Sequence, residues 1–277
     1  MTEELRTPRA LYALLELPEE VAEMYSRLDR DFTPTLDAAL RERVLCRATW
    51  PEAVKEWQAR IGDDPDGLLI LHEMLLESLG SWKRYQEKGI PLAVFADTMR
   101  FASRYLRDRK KAVGRYGFTA PWWFPRELAL QEFRLGALEF EMAEEEKGRV
   151  IEVHIPSDAK LAPSSVDDSF ARCRAFLAAY YPGWTGLPWY CDSWMLSPEL
   201  PGLLKEGSNI LAFQRRFAVE EFNRETHGAV SWVFPGHREP SADLQEDTSL
   251  QRAMKAFLLS GGCVGWARGR LKEAPDA

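Results

Sequence analysis

The sequence is poor in cysteine: four in 277 residues, at positions 46, 173, 191 and 263, with no CxxC pair among them. That spacing excludes a zinc ribbon and a dithiol redox motif. Such sparse use in a long chain fits a reducing compartment better than a disulfide-stapled secreted scaffold, and we expect a cytoplasmic protein. A surplus of positive charge is also missing. Lys and Arg number 36 against 43 Asp and Glu, a formal net charge of −7. Proteins held to nucleic acid by its phosphates are usually more basic, so no nucleic-acid partner is expected. No apolar run approaches the roughly 20 residues a membrane span needs. The densest, Gly67 to Leu76, is interrupted by His72 and Glu73. The opening stretch MTEELRTPRALYALLELPEE lacks the basic–apolar–small order of a secretory signal.

Several catalytic signatures are absent as well. There is no GxxxxGK[ST] phosphate loop, no GxSxG nucleophile elbow, and no GxGxxG opening a helix. The pair His72-Glu73 is not completed to HExxH, and no metal site is expected. The glycine cluster Gly261-Gly262-Cys263-Val264-Gly265 follows a predicted helix, where it reads as a turn into a strand.

What is present is apolar bulk: 45% hydrophobic residues, 12% aromatic, ten Trp. That is enough for a sizeable core and argues against a disordered chain. The first 120 residues read as helices. Leu92, Phe95, Met99, Ala102 and Leu106 recur at spacings of 3, 4, 3 and 4, one face of a helix that starts at Pro91 and stops at Gly114. A second helix follows Asp63-Asp64-Pro65-Asp66, with Leu68, Leu71, Leu75, Leu79 and Trp82 as its stripe and His72 as a packed or surface residue beside it. Others are expected over 9–27 and 36–60, the latter interrupted at Thr49-Trp50-Pro51. The segment GFTAPWWFPR at 117–126 reads as a packed linker between domains.

Beyond it the texture changes. Strands are expected over 127–141 and 150–155, joined through a polar hairpin end. A helix running from Asp167 to about Tyr180 follows, then a strand over 189–196 and a partly helical stretch over 200–222. Next come a strand over 228–234, a helix over 248–259 and a last strand over 263–268. The fold class is therefore α+β: a helical N-terminal domain, 1–120, and a mixed α/β domain, 121–277. The second is the more acidic, with 17 basic and 23 acidic side chains. An acidic mouth there would attract a cationic amine; ordinary surface charge is the plainer explanation.

Within the second strand, Ile151, Val153 and Ile155 share one face, while Glu152 and His154 share the other. The alternation turns a carboxylate and an imidazole toward the same side of a sheet. Imidazole is suited to proton exchange near neutral pH. Cys191 and Asp192 are neighbours in a later strand and point to opposite faces.

The segments FRLGALEFEM (133–142), VHIPSDAKL (153–161), CDSWMLSPEL (191–200), SNILAFQRRF (208–217) and EDTSLQRAM (246–254) resemble bacterial acyltransferase-like proteins with a GNAT-like C-terminal domain. The preceding helices look like the N-terminal domain that accompanies it. The resemblance implies a GNAT-like acyltransferase domain and transfer of an acyl group from acyl-CoA or acetyl-CoA to a small-molecule amine or peptide acceptor. The strand ending at Ile155, the loop 157–166 and the helix after it would form the cofactor-binding unit, because a helix N-terminus favours phosphate. Ser164 and Ser165 are its candidate ligands, with Gln251 and Arg252 as further contacts. His154 is the candidate base, Glu152 a second carboxylate, and Asp158 a group to orient His154 or bind the amine. Cys191 is a candidate nucleophile activated by His154. The sequence departs from the [QR]xxGx[GA] phosphate pattern: no glycine lies between Pro156 and Asp167, and Asp167 and Asp168 would compete with a phosphate. Two other readings stay open: a non-catalytic ligand-binding or interaction protein on a GNAT-like scaffold, and thiol-dependent hydrolysis through Cys191 and His154.

Overall fold

The computed structural model describes residues 5, 7–30, 32–224 and 226–272. They fall into two compact units, Met1–Leu135 and Gly136–Ala277. The boundary expected at 120/121 thus lies within the first unit, which also takes in the segment 117–126.

In the first unit, α1 (Pro8–Leu14) is capped by Thr7, and α2 (Glu19–Leu28) follows Pro18. Next come α3 (Ala38–Val44), capped by Asp37, and α4 (Trp50–Ile61), which carries Pro51 in its first turn where a missing N–H costs little. The long α5 (Leu68–Lys88) is buried nearly all round over its first two turns, through Ile70, Leu71, Met74 and Leu75. Its buried Glu73 and the Nε2 side of His72 find partners on the neighbouring helices and loop. Glu73 accepts from the Thr35 backbone N–H at 3.0 Å and from Trp57 Nε1 at 2.9 Å. His72 is packed between the rings of Tyr25 and Phe32, with Nε2 2.9 Å from Asp29 Oδ1. The helix expected from Pro91 to Gly114 is two, α6 (Leu92–Met99) and α7 (Phe101–Val113), separated at Arg100. A short α8 (Pro125–Leu128) and the strand β1 (Glu132–Leu135) complete the unit where one strand over 127–141 was expected. Trp122 in the expected packed linker is 54% exposed.

The second unit is built on β2 (Leu138–Glu145), β3 (Gly148–His154), β4 (Trp189–Ser193), β5 (Phe217–Asn223) and β6 (Trp266–Leu271), in spatial order β2-β3-β4-β6-β5. β2 and β3 form an antiparallel hairpin. β3 and β4 are parallel, joined by the crossover helix α9 (Pro163–Tyr180). β6 lies antiparallel to both β4 and β5. Between β4 and β6 the chain forms α10 (Asn209–Gln214), α11 (Val230–Val233) and α12 (Ser249–Leu259). These helices enclose a core that includes Trp194, Leu211, Phe234, Met254 and Leu258. Two expectations are corrected here. β5 replaces the C-terminal part of the helical stretch expected over 200–222, and 230–233 is one helical turn, not a strand. Among the described residues no helix is long and apolar enough to cross a membrane.

Period-2 alternation sorts the sheet into two chemically different faces. On one, Phe140, Ile151, Val153, Trp189 and Cys191 are buried. The rings of Phe140 and Phe170 meet Trp189 at 5.5 and 5.7 Å, which seats α9 on this side. The other face carries the charges.

Candidate active site

The charged face follows from the register. Opposite partners in an antiparallel pair share a face. Glu139 lies opposite His154, Glu141 opposite Glu152 and Glu145 opposite Gly148, so β2 and β3 together present four carboxylates and an imidazole. Glu152 is in register with Tyr190 of β4, Asp192 of β4 with Arg268 of β6, and Arg268 with Glu221 of β5. The expectation that Glu152 and His154 share one side is met, within a longer charged row.

The geometry of that row is specific. His154 Nε2 lies 3.0 Å from Glu141 Oε2. Arg268 Nη2 is 2.7 Å from both Glu145 Oε1 and Glu152 Oε1, and its guanidinium lies over the Tyr190 ring at 4.5 Å. Burial raises the Glu152 carboxyl above the usual carboxylate range, with Arg268 opposing the shift. Asp192, still exposed on one side, is raised too, chiefly by partial withdrawal from water and also by Glu221, again against the pull of Arg268. Asp192 opens into a cavity of about 430 Å³ that it lines with Glu221, Asn223, Trp266 and Arg268. The sequence placed Asp192 on a face of its own opposite Cys191; its role at a cavity wall required the pairing of β4 with β6.

β3 and β4 part company beside this face. Their ladder holds two registered pairs, Ile151 with Trp189 and Glu152 with Tyr190. Beyond them β3 stays with β2 as far as His154, while β4 stays with β6 from Tyr190 to Ser193. The C-terminal ends of two central parallel strands thus separate, the point in an open α/β sheet where ligands bind. After the turn at Pro156–Ala159, which carries the exposed Asp158, the chain enters α9 at Pro163, four residues earlier than expected. Ser164 and Ser165 therefore sit in the first helical turn, Ser164 exposed. Asp167 is paired with Arg216, and Asp168 with Arg172 at 2.7 Å. Each acidic residue that would oppose a phosphate here has a cation of its own.

Cys191 is a correction, and Gln251 and Arg252 are found with partners within the fold. Cys191 is fully buried on the apolar face, opposite His154, and burial pushes its thiol well above the ordinary range, reinforced by Glu152 and Asp192. A thiolate nucleophile is not available there. Gln251 belongs to the capping box of α12: its Oε1 accepts from Thr248 N at 2.9 Å and its Nε2 donates to the Val233 carbonyl at 3.0 Å. Arg252 Nη1 donates to the Glu246 carbonyl at 2.6 Å, holding the loop that leads into α12. Both side chains have partners within the fold.

Residues 133–271 match the family described as the GNAT-like C-terminal domain, and residues 6–130 match the N-acyltransferase N-terminal domain. None of the curated proteins matches the chain. Among solved structures, an acyltransferase in complex with decanoyl-CoA and teicoplanin is similar at 24% identity with a TM-score of 0.79, over 99% of this chain and 91% of that one. An acyltransferase mutant in complex with octanoyl-CoA is similar at 23% identity and a TM-score of 0.78, over 96% and 87%. At these identities the likeness establishes a shared fold.

Proposed function

Since the chain belongs to the family that joins an N-acyltransferase N-terminal domain to a GNAT-like C-terminal domain, we propose that it is an acyl-CoA-dependent N-acyltransferase. One observation carries the reading: the gap between the ends of β3 and β4 opens beside a face that bears His154, Glu152 and Asp192. A thioester entering that gap would bring its carbonyl to groups able to take a proton.

In this reading the pantetheine arm lies between the strand ends and the pyrophosphate meets the first turn of α9, where the helix dipole favours negative charge. Ser164 and Ser165 supply hydroxyls at that turn. The amine nitrogen attacks the thioester carbon, a C–N bond forms, and the C–S bond breaks as the CoA thiolate leaves. The proton lost by nitrogen passes to Asp192, whose raised affinity for protons suits a general base. His154, held by Glu141, and Glu152, held by Arg268, set the field around that transfer. Asp158 stands at the exposed turn after β3 and contacts the acceptor. The acceptor is an amine on a small molecule or peptide. The reaction takes place in the cytoplasm, which suits four free cysteines.

The test is incubation of the purified chain with a panel of acyl-CoAs, starting from the decanoyl and octanoyl esters that the similar structures hold. Binding is followed by thermal shift, and turnover by thiol release in the presence of amines. Stabilisation by at least one acyl-CoA is expected; absence of binding to every member would sink the assignment.

A further inference from the structure

The cavity of about 430 Å³ beside the separating strands has the size of a small-molecule pocket, and part of its wall takes no part in the proton transfer. Its lining residues all stand on the charged face. Arg268 of β6 is opposite both Asp192 of β4 and Glu221 of β5, and Trp266, two residues from Arg268, is opposite Asn223. Trp266 is therefore diagonal to both carboxylates, at the roughly 7–8 Å that long and aromatic side chains span. Its indole packs on Gly228, where a Cβ would overlap Nε1 and Cδ1, so the bare backbone at 228 is what seats the ring. Arg268 gives its Nη2 to Glu145 and Glu152. Among the described residues that leaves Asp192 and Glu221 without an ion-pair partner at the cavity wall.

Two carboxylates flank the indole, and the one guanidinium between them is already shared with two further carboxylates. The wall therefore carries negative potential. An aromatic ring beside such charge suits a cation, which the ring and the carboxylate attract together. The amine that attacks a thioester must be neutral, so the reacting nitrogen brings no charge to answer this wall. Asp192 and Glu221 stand on strands separated by β6, which puts their backbones about 10 Å apart. That is room for two nitrogens of one molecule to be held at once. We infer that Glu221 and Trp266 form a specificity subsite for a second, protonated nitrogen, and that the preferred acceptor is an amine with a second cationic group, a diamine in its simplest form. The inference rests on the acyl-transfer reading for the reacting end of the acceptor; the cation subsite itself is open to a test without it.

The experiment measures thiol release from octanoyl-CoA with three acceptors of similar length: hexamethylenediamine, hexylamine and aminohexanoic acid, whose far ends are a cation, a methyl group and an anion. After allowance for the second reactive nitrogen of the diamine, its kcat/KM is expected to exceed that of hexylamine by about tenfold, through KM, with the amino acid lowest. In Glu221→Gln, a change at an exposed position, the diamine-to-hexylamine ratio should fall to about threefold or less. The ratio is the readout because any effect of Glu221 on the proton affinity of Asp192 is common to both amines. Glu221→Lys should reverse the order in favour of aminohexanoic acid. Calorimetric titration of the full chain with hexamethylenediamine, with no acyl-CoA present, is the second arm: saturable binding is expected, weakened about fivefold in Glu221→Gln. Diamine binding by a chain that binds no acyl-CoA would keep the subsite and remove the acyl-transfer reading. Acyl transfer without preference for the diamine, a ratio unchanged in Glu221→Gln, or no saturable diamine binding overturns the subsite and leaves that reading standing wherever acyl-CoA binds.

Discussion

His154 and Asp192 each stand two residues past the last registered pair of β3 and β4, Glu152 with Tyr190, and so occupy matching places on the charged face where the strands separate. Each is held to a different neighbour. His154 meets Glu141 of β2, and Asp192 lies in register with Arg268 of β6. The two are close enough for the imidazole, when charged, to pull against the upward shift of the Asp192 carboxyl. The divergence of the backbone thus places two proton-exchanging groups on opposite sides of the opening.

Removing either group should slow the chemical step without closing the gap. Asp192→Asn keeps the shape and loses the basic oxygen, and kcat is expected to fall by about 100-fold or more, the usual contribution of a general base. His154→Gln is expected to reduce kcat by about tenfold, as a group acting through its field on a neighbour. Acyl-CoA affinity, read by titration calorimetry, should stay within about threefold of the parent in both. A Asp192→Asn variant with full kcat would remove this residue from the mechanism.

Activity and stability should move in opposite directions with pH. Partial withdrawal from water raises the folded-state affinity of Asp192 for its proton. Between the unfolded and folded titrations the native state therefore binds more protons than the unfolded one, and its stability falls as pH rises through that window. The deprotonated base is the active form, so kcat/KM rises with pH through the folded-state titration, displaced above the ordinary carboxylate range. In Asp192→Asn the destabilisation is gone: its Tm should exceed the parent's at neutral pH, and the difference should vanish in acid below both titrations. Tm curves that stay parallel from pH 3 to 8 would contradict this assignment.

Cys191 tests the rejection of thiol chemistry. With the sulfur buried on the apolar side, Cys191→Ala should keep the full rate of acyl transfer and lose on the order of 1 kcal/mol of stability through the small void left behind. Cys191→Ser places a hydroxyl where no polar partner is assured, and should cost about 1–3 kcal/mol. Chemical denaturation of the three proteins, alongside their rates, separates these effects. Loss of turnover in the alanine variant at full stability would restore the cysteine as a nucleophile.

What the sequence revealed and concealed divides along a physical line. Local patterns were legible. The alternation at 151–155 placed Glu152 and His154 on one side, the helix expected over 248–259 is α12, and Gly114 closed α7 in a left-handed conformation. The 3-4-3-4 spacing through Leu106 could not disclose the break at Arg100, because a single residue between two helices leaves their buried stripes nearly aligned. Long-range pairing was hidden altogether. β5 reads FAVEEFN, with too much charge for an evident strand, and it becomes one by pairing along β6. Asp192 acquires its cavity from Glu221 and Trp266, which are 29 and 74 positions away, and no spacing rule joins them. The cap role of Gln251 was hidden as well, because a helix cap and a ligand contact look alike until the partners are known.

The first turn of α9 offers a test in which binding and folding respond with opposite signs. Ser164 is exposed, stands one residue after Pro163, and has no acidic residue beside it in that turn. A negative charge introduced there interacts favourably with the helix dipole, and Asp167 and Asp168 one turn on are already held by Arg216 and Arg172, so Ser164→Glu should stabilise the fold by about a few tenths of a kcal/mol. The same charge repels a pyrophosphate seated at the turn, and acyl-CoA binding should weaken by an order of magnitude or more, most strongly at low salt where screening is least. A merely disruptive substitution would lower both quantities, whereas this one should raise Tm while it raises the Kd for acyl-CoA. Unaltered acyl-CoA affinity in a stabilised Ser164→Glu protein would mean that the phosphates bind elsewhere, and the role given to α9 would have to be abandoned even if acyl transfer itself were observed.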